Sequence, residues 1–211
     1  MDFDELDGLS QEYFLKVFSG PGQKIEAEQS LNFYPLTAQI VAIAMLDVDS
    51  EKGFVFFQNG EDGTRPFVDG RVTYVPSSEE NTLRRFWKVA ESYDQFVSFN
   101  GRCFDAPFIM LRSMHHHVRC SKNLMPYRYS YGVHVDLADQ LTFYDAMRRR
   151  FNLHLWCKAF DIKSPKEAGI SGLQVKELFQ AQQYERIARY CFTDVVATKQ
   201  LYLLWNEYIK F

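Results

Sequence analysis

The chain has 211 residues, with 24 Lys and Arg against 27 Asp and Glu, a formal net charge of −3 and a pI near 6.0. That balance excludes a basic protein that holds nucleic acid through bulk charge, and no apolar stretch approaches the ~20 residues needed to cross a bilayer. With 46% apolar and 24% charged residues the composition is that of an ordinary globular protein, and the length is enough for one compact α/β domain over 1–211.

Residues 1–30 are polar, carry the breaker Gly20-Pro21-Gly22, and are expected to be irregular. Gln39 to Leu46 is a nearly continuous apolar run, as expected of a strand covered on both faces. Phe54 to Phe57 reads as a second strand, and Asn59 to Gly70 is rich in turn residues. Ser77 and Glu80 have the spacing of a capping box, followed by Leu83, Phe86, Trp87 and Ala90 at helical intervals. A short strand from Gln95 to Phe99 stops at Asn100-Gly101. A helix is expected from Ala106, with Asp105 at its cap and Pro107 in its first turn. Val133 to Leu137 reads as a strand and Asn152 to Phe160 as a helix. Gly169 to Gly172 reads as a loop. Tyr184 to Tyr208 contains neither Gly nor Pro and is the strongest helix signal. Strands alternating with helices predict a layered α/β fold.

The acidic start Met1-Asp2-Phe3-Asp4-Glu5 has no apolar core of a secretory signal. Cys103, Cys120, Cys157 and Cys191 form no Cys-x-x-Cys pair or zinc spacing, and read as reduced thiols of a cytoplasmic protein.

Two segments could carry chemistry. Asn100-Gly101-Arg102-Cys103-Phe104-Asp105 lies where a strand ends and a helix begins, the edge at which open α/β sheets present ligands. By itself Asp105 could simply cap its helix. Tyr190 and Asp194, four apart in the long helix, share a face with Ala197 and Leu201. A carboxylate in so apolar a stripe needs a cation, a hydrogen-bond partner or water.

Taken together, these segments resemble motifs II and III of the DEDD superfamily of 3′–5′ exonucleases, in the subgroup with a catalytic Tyr. The similarity is greatest to the exonucleases related to the exonuclease domain of family B DNA polymerases. It runs from about Leu31 to Leu204. It takes in Thr37 to Leu46, Val97 to Gly101, His134-Val135-Asp136-Leu137, Ile162 to Lys166 and Tyr190-x-x-x-Asp194. The resemblance implies a ribonuclease H-like mixed sheet flanked by helices, acting as a metal-dependent nuclease on the single-stranded 3′ end of a nucleic acid, with DNA the expected substrate. It makes Asp105 and Asp194 metal ligands for two divalent ions, Mg²⁺ or Mn²⁺. Tyr190 would orient or deprotonate the attacking water, while Asn100 and Phe104 would shape the substrate channel. Lys166, in its loop, could reach a substrate phosphate.

One part of the pattern is missing. The family's first motif is Asp-x-Glu at the end of a central first strand, and no apolar run before Gln39 ends in such a pair. Asp47-Val48-Asp49 follows a strand that matches the family's second. The chain therefore reads as truncated at its N-terminus, or as a degenerate, catalytically dead module that still binds nucleic acid or protein. In either case the first central strand is expected to be absent. His115-His116-His117 cannot share one ion on a regular helix, because adjacent side chains point about 100° apart, and reads as a solvated helix end. Arg148-Arg149-Arg150 could touch phosphate or simply face water.

Overall fold

The computed structural model describes residues 2–20, 22–59, 65–170 and 172–210, with the side chains of residues 168 and 173 left aside. The N-terminal region is helical, not irregular. Helix α1 spans Gly8–Val17 and α2 spans Gln23–Ser30. The Asp7 carboxylate accepts from the amides of Leu9 and Ser10, a side-chain cap that begins α1 without any apolar periodicity. No residue of α1 is buried, which is why its sequence carries no inward-facing stripe.

The expected strand from Gln39 is shorter than its apolar run. Strand β1 is Ala42–Leu46 and β2 is Gly53–Phe57, paired antiparallel. The Ile40 amide donates to the Glu79 carboxylate and the Ile40 carbonyl accepts from the Gln58 side chain, so this residue is held by side chains outside the ladder. Two further strands lie in and just beyond the turn-rich region. Strand β3, Phe67–Asp69, pairs antiparallel with β4, Val72–Pro76, which in turn runs parallel to β2. Helix α3, Glu79–Ala90, is capped by Ser78, not Ser77, through the Asn81 amide.

Strand β5, Phe96–Ser98, and β6, His134–Asp136, form a second, parallel sheet. Between them runs helix α4, Asp105–His115. Beyond β6 come α5, Leu137–Leu141; α6, Leu153–Ala159; α7, Val175–Gln180; and α8, Tyr184–Tyr208.

The first sheet has the order β1-β2-β4-β3 and the second the order β5-β6, so β1 is an outer strand. The Asp47 amide bonds to the Lys52 carbonyl and the Val41 carbonyl accepts from the Gln58 amide. By alternation the backbone groups of Ala42, Ala44 and Leu46 point to the other edge. Among the described residues no strand occupies that edge. The Cys191 sulfur of α8 instead meets the Ala44 backbone. Helix α8 packs along β1, β2 and β5 and joins the two sheets. Its first half contributes Ala188 to a core with Val55, Phe57, Val72 and Tyr74, and its second half contributes Ala197, Leu201 and Trp205 to a core with Val135, Leu137 and Cys157. Mixed sheet and flanking helices make an α/β structure consistent with a ribonuclease H-like fold. Among the described residues no helix is long and apolar enough to cross a membrane.

Candidate nuclease site

The end of β5 presents the first candidate segment. Asn100 adopts φ 61°, a left-handed conformation that Asn tolerates better than most residues. The turn is fixed by Asp136, which is 1% exposed. Its Oδ1 accepts from the Asn100 amide at 2.8 Å and from the Ala138 amide at 2.9 Å, and its Oδ2 accepts from the Arg102 amide at 2.9 Å. One carboxylate thus caps α5 and clamps the turn that leads to Asp105. Gly101 is required here, since a Cβ would strike the Ser98 hydroxyl, come within 2.6 Å of Ser98 Cβ and lie 3.2 Å from Asp105 Oδ2.

Asp105 is the first residue of α4 rather than its cap. Phe104 holds the cap position with no side-chain bond, so the Asp105 carboxylate is not engaged in capping. Burial raises the Asp105 pKa to about 6, partly opposed by its own amide and reinforced by the Asp136 charge. Asp105 nevertheless keeps an open flank to solvent, so the crowding of the more enclosed Asp194 is the firmer of the two effects. Asp194, on α8, is also raised to about 6, first by burial and then by the Asp105 charge. The Tyr190 hydroxyl, which donates to it, and the Lys166 charge pull in the opposite direction. Each carboxyl is therefore held toward its neutral form. Burial and the Asp194 charge push the Tyr190 phenol up to about 12. Asp105, Asp194, Tyr190 and Lys166 are thus electrostatically connected, although they come from α4, α8 and the loop before α7.

Lys166 lies in the short 3₁₀ turn Pro165–Ala168, whose cap Ser164 is buried and paired with His154 Nδ1 at 2.7 Å. The Phe104 ring is 40% exposed and packs against Phe33 and Phe108 at centroid distances of 6.4 and 5.5 Å. The Asn100 side chain accepts from Arg150 at 3.3 Å.

Three positions read differently in three dimensions. His116 is not merely solvated, since it bonds to Glu79, which also holds Arg112 through two hydrogen bonds of 2.7 and 2.8 Å. Arg150 is tied to Asp139 and Asp145. Cys191, between Asp194 and β1, was no candidate in the sequence. Burial and the nearby Asp194 charge lift its thiol to about 12, so it stays protonated. Only a helical-wheel count from Asp194 would have placed it toward the sheet.

Asp105 and Asp194 are hard oxygen donors of the kind that suit Mg²⁺ or Mn²⁺. Among the described residues, however, no three His, Cys, Asp or Glu side chains converge on one point. Asp47 accepts from the Ser50 amide at 2.6 Å in the β1–β2 turn. Two carboxylates are too few to hold two dications.

The family described as "predicted 3′–5′ exonuclease related to the exonuclease domain of PolB" matches residues 32–210, nearly the whole chain. No curated protein matches it. The chain belongs to this family of predicted 3′–5′ exonucleases.

Proposed function

We propose that the domain is of the metal-dependent 3′–5′ exonuclease type and takes the 3′ end of single-stranded nucleic acid, DNA in the first instance, between α4 and α8. The observation that carries this reading is the electrostatic contact of Asp105 with Asp194, whose carboxylate also accepts from Tyr190. Two carboxyls whose charges oppose each other's ionisation are poised to accept positive charge. Asp105 and Asp194 serve as ligands for Mg²⁺ or Mn²⁺, which when fully held supply charge compensation at a scissile phosphate. Tyr190, kept protonated by its high pKa, donates to Asp194 and orients a water rather than removing its proton. Asn100 and Phe104 shape the entrance, and Lys166 offers a positive charge beside Asp194 for a phosphate.

With only two carboxylates in place among the described residues, the chain of residues 1–211 hydrolyses little or nothing, because in-line attack depends on well-placed ions. Its remaining capacity is binding. The test is digestion of 3′-labelled single-stranded DNA with Mg²⁺ or Mn²⁺. The chain should leave it intact. A version given an added apolar N-terminal strand ending in Asp-x-Glu should degrade it, and Asp194→Ala in that version should abolish the gain. Robust digestion by residues 1–211 that disappears in their own Asp194→Ala variant would overturn the two-carboxylate reading and point to Asp47 or Asp49 as substitute ligands.

A further inference from the structure

Beside the candidate site lies a surface that the carboxylates and Tyr190 do not explain. Tyr127 is 73% exposed, Tyr129 55% and Phe143 57%, an unusual density of rings in water. They are not scattered. Tyr127 packs against Tyr129 at 5.5 Å between centroids, and Tyr129 against Tyr144 at 4.8 Å, next to Phe143 in the chain.

The same stretch is rich in arginine. Arg128 and Arg150 both grip Asp145, and both grip Asp139, a residue only 2% exposed. Arg102 comes within 4.0 Å of Asp139, and one of its buried nitrogens, Nη1, has no hydrogen-bond partner. Arg102, Arg128 and Arg150 thus gather around Asp139 and Asp145, with Arg148 and Arg149 next in the chain, in a protein whose net charge is −3. The backbone is also fixed in an uncommon shape. Phe143, Tyr144 and Asp145 are consecutively left-handed at φ 50°, 54° and 73°, a conformation that persists only where the surroundings impose it. Here Asp145 is held by Arg128 and Arg150, and Phe143 is left exposed.

The patch is wired to the candidate site, since Arg150 donates to the Asn100 side chain at 3.3 Å. Exposed rings with interleaved arginines fit one chemical class, a polyanion with flat faces: rings stack on unpaired bases while guanidinium groups face phosphates. An acidic protein segment would match the arginines but leave the exposed rings without flat faces to stack on, and a duplex hides its base faces.

We propose that Tyr127, Tyr129 and Phe143, backed by Tyr144 and set among Arg128 and Arg150, form a landing surface for unpaired nucleotides of single-stranded nucleic acid, upstream of the 3′ end held near Asp194. The upstream direction rests on the exonuclease reading, whereas the landing surface does not. The surface accepts DNA or RNA, because stacking reads neither sequence nor sugar.

The experiment is fluorescence anisotropy of the chain in EDTA, so that hydrolysis plays no part. The probes are labelled oligothymidylate and oligouridylate of about twelve nucleotides, within the ~4–16 that comparable single-strand sites cover. The Tyr127→Ala/Tyr129→Ala double variant should weaken binding about tenfold or more. The Tyr127→Phe/Tyr129→Phe variant, which keeps the rings, should bind as the parent does. Asp194→Asn should retain binding of the long probe. Both tyrosines are exposed, so the variants should keep the parent's melting temperature. Tyrosine-dependent binding of either probe supports the surface, and the ratio of the two says which sugar is preferred. No binding by the parent, equal binding of a blunt duplex, or an alanine effect below twofold would overturn it. If binding instead vanishes in Asp194→Asn alone, the surface fails while the site reading stands. If tyrosine-dependent binding holds but the strand-extended version digests nothing, the surface stands and the exonuclease reading fails.

Discussion

Replacing Asp194 by Asn should stabilise this protein in the absence of divalent ions. Asn keeps the shape and can still accept from the Tyr190 hydroxyl, so what is lost is the charge. In the folded state the Asp194 carboxyl titrates at about 6 instead of 3.8, because burial and the Asp105 charge oppose ionisation. At 1.36 kcal/mol for each pH unit, an ionised Asp194 costs the fold up to about 3 kcal/mol. Partial exposure and relaxation of its neighbours screen this to about 1–2 kcal/mol. The sign follows from proton binding. Between 3.8 and about 6 the folded state holds more protons than the unfolded one, so stability falls as pH rises through that window. The penalty is fully present above about 6 and fades as the pH drops toward 4. Urea unfolding of both proteins in EDTA, at about pH 7.5 and about pH 4.5, measures this directly. Asp194→Asn should be the more stable by about 1–2 kcal/mol at the higher pH, with the gap narrowing at the lower. A variant that is equally stable or weaker at both pH values would refute the claim that Asp194 is held against its charge.

Two further outcomes follow from the buried carboxylates that are fully partnered. Glu79→Ala should cost about 3–5 kcal/mol near neutral pH, since it leaves Arg112 charged and buried and the Ile40 amide without its acceptor. Although burial alone would raise it, Arg112, the Ile40 amide and His116 hold the Glu79 pKa below 4.5, so the difference should close as pH falls through that lowered value, as chemical unfolding at several pH values can follow. Asp136→Ala should cost about 3–4 kcal/mol and speed hydrogen exchange at the amides of Asn100 and Arg102 far more than at α8, an effect that NMR resolves residue by residue.

Legibility in the sequence followed local determination. Helix α8 has the expected bounds because 25 residues without Gly or Pro leave the backbone one regular choice. Strand β1 started late because the fate of the Ile40 backbone is decided by Glu79 and Gln58, side chains distant in sequence. Strand β3 was hidden by the turn residues around it and exists because β4 offers a partner. Helices α1 and α2 escaped notice since they bury little, and capping alone does not reveal itself as periodicity. Within the site, the strand end, Asp105 and the α8 face could be read. Asp136 as the clamp of the Asn100 turn, and the convergence of arginines on Asp139, depend on parallel pairing of β5 with β6 and on a left-handed turn of ordinary residues, neither of which has a short-range signal.

The bridging position of α8 also bears on how the molecule assembles. Strand β1 precedes by a long stretch of chain the helix that packs over its free edge. Contacts between such distant segments form slowly, because a long loop must close before they gain anything. Until then Ala42, Ala44 and Leu46 present an apolar edge with unpaired amides and carbonyls, an open template for another copy. A chain ended before Tyr184 should therefore collect in aggregates rather than as a smaller soluble domain. The carboxylate pair can come together only once α8 has docked.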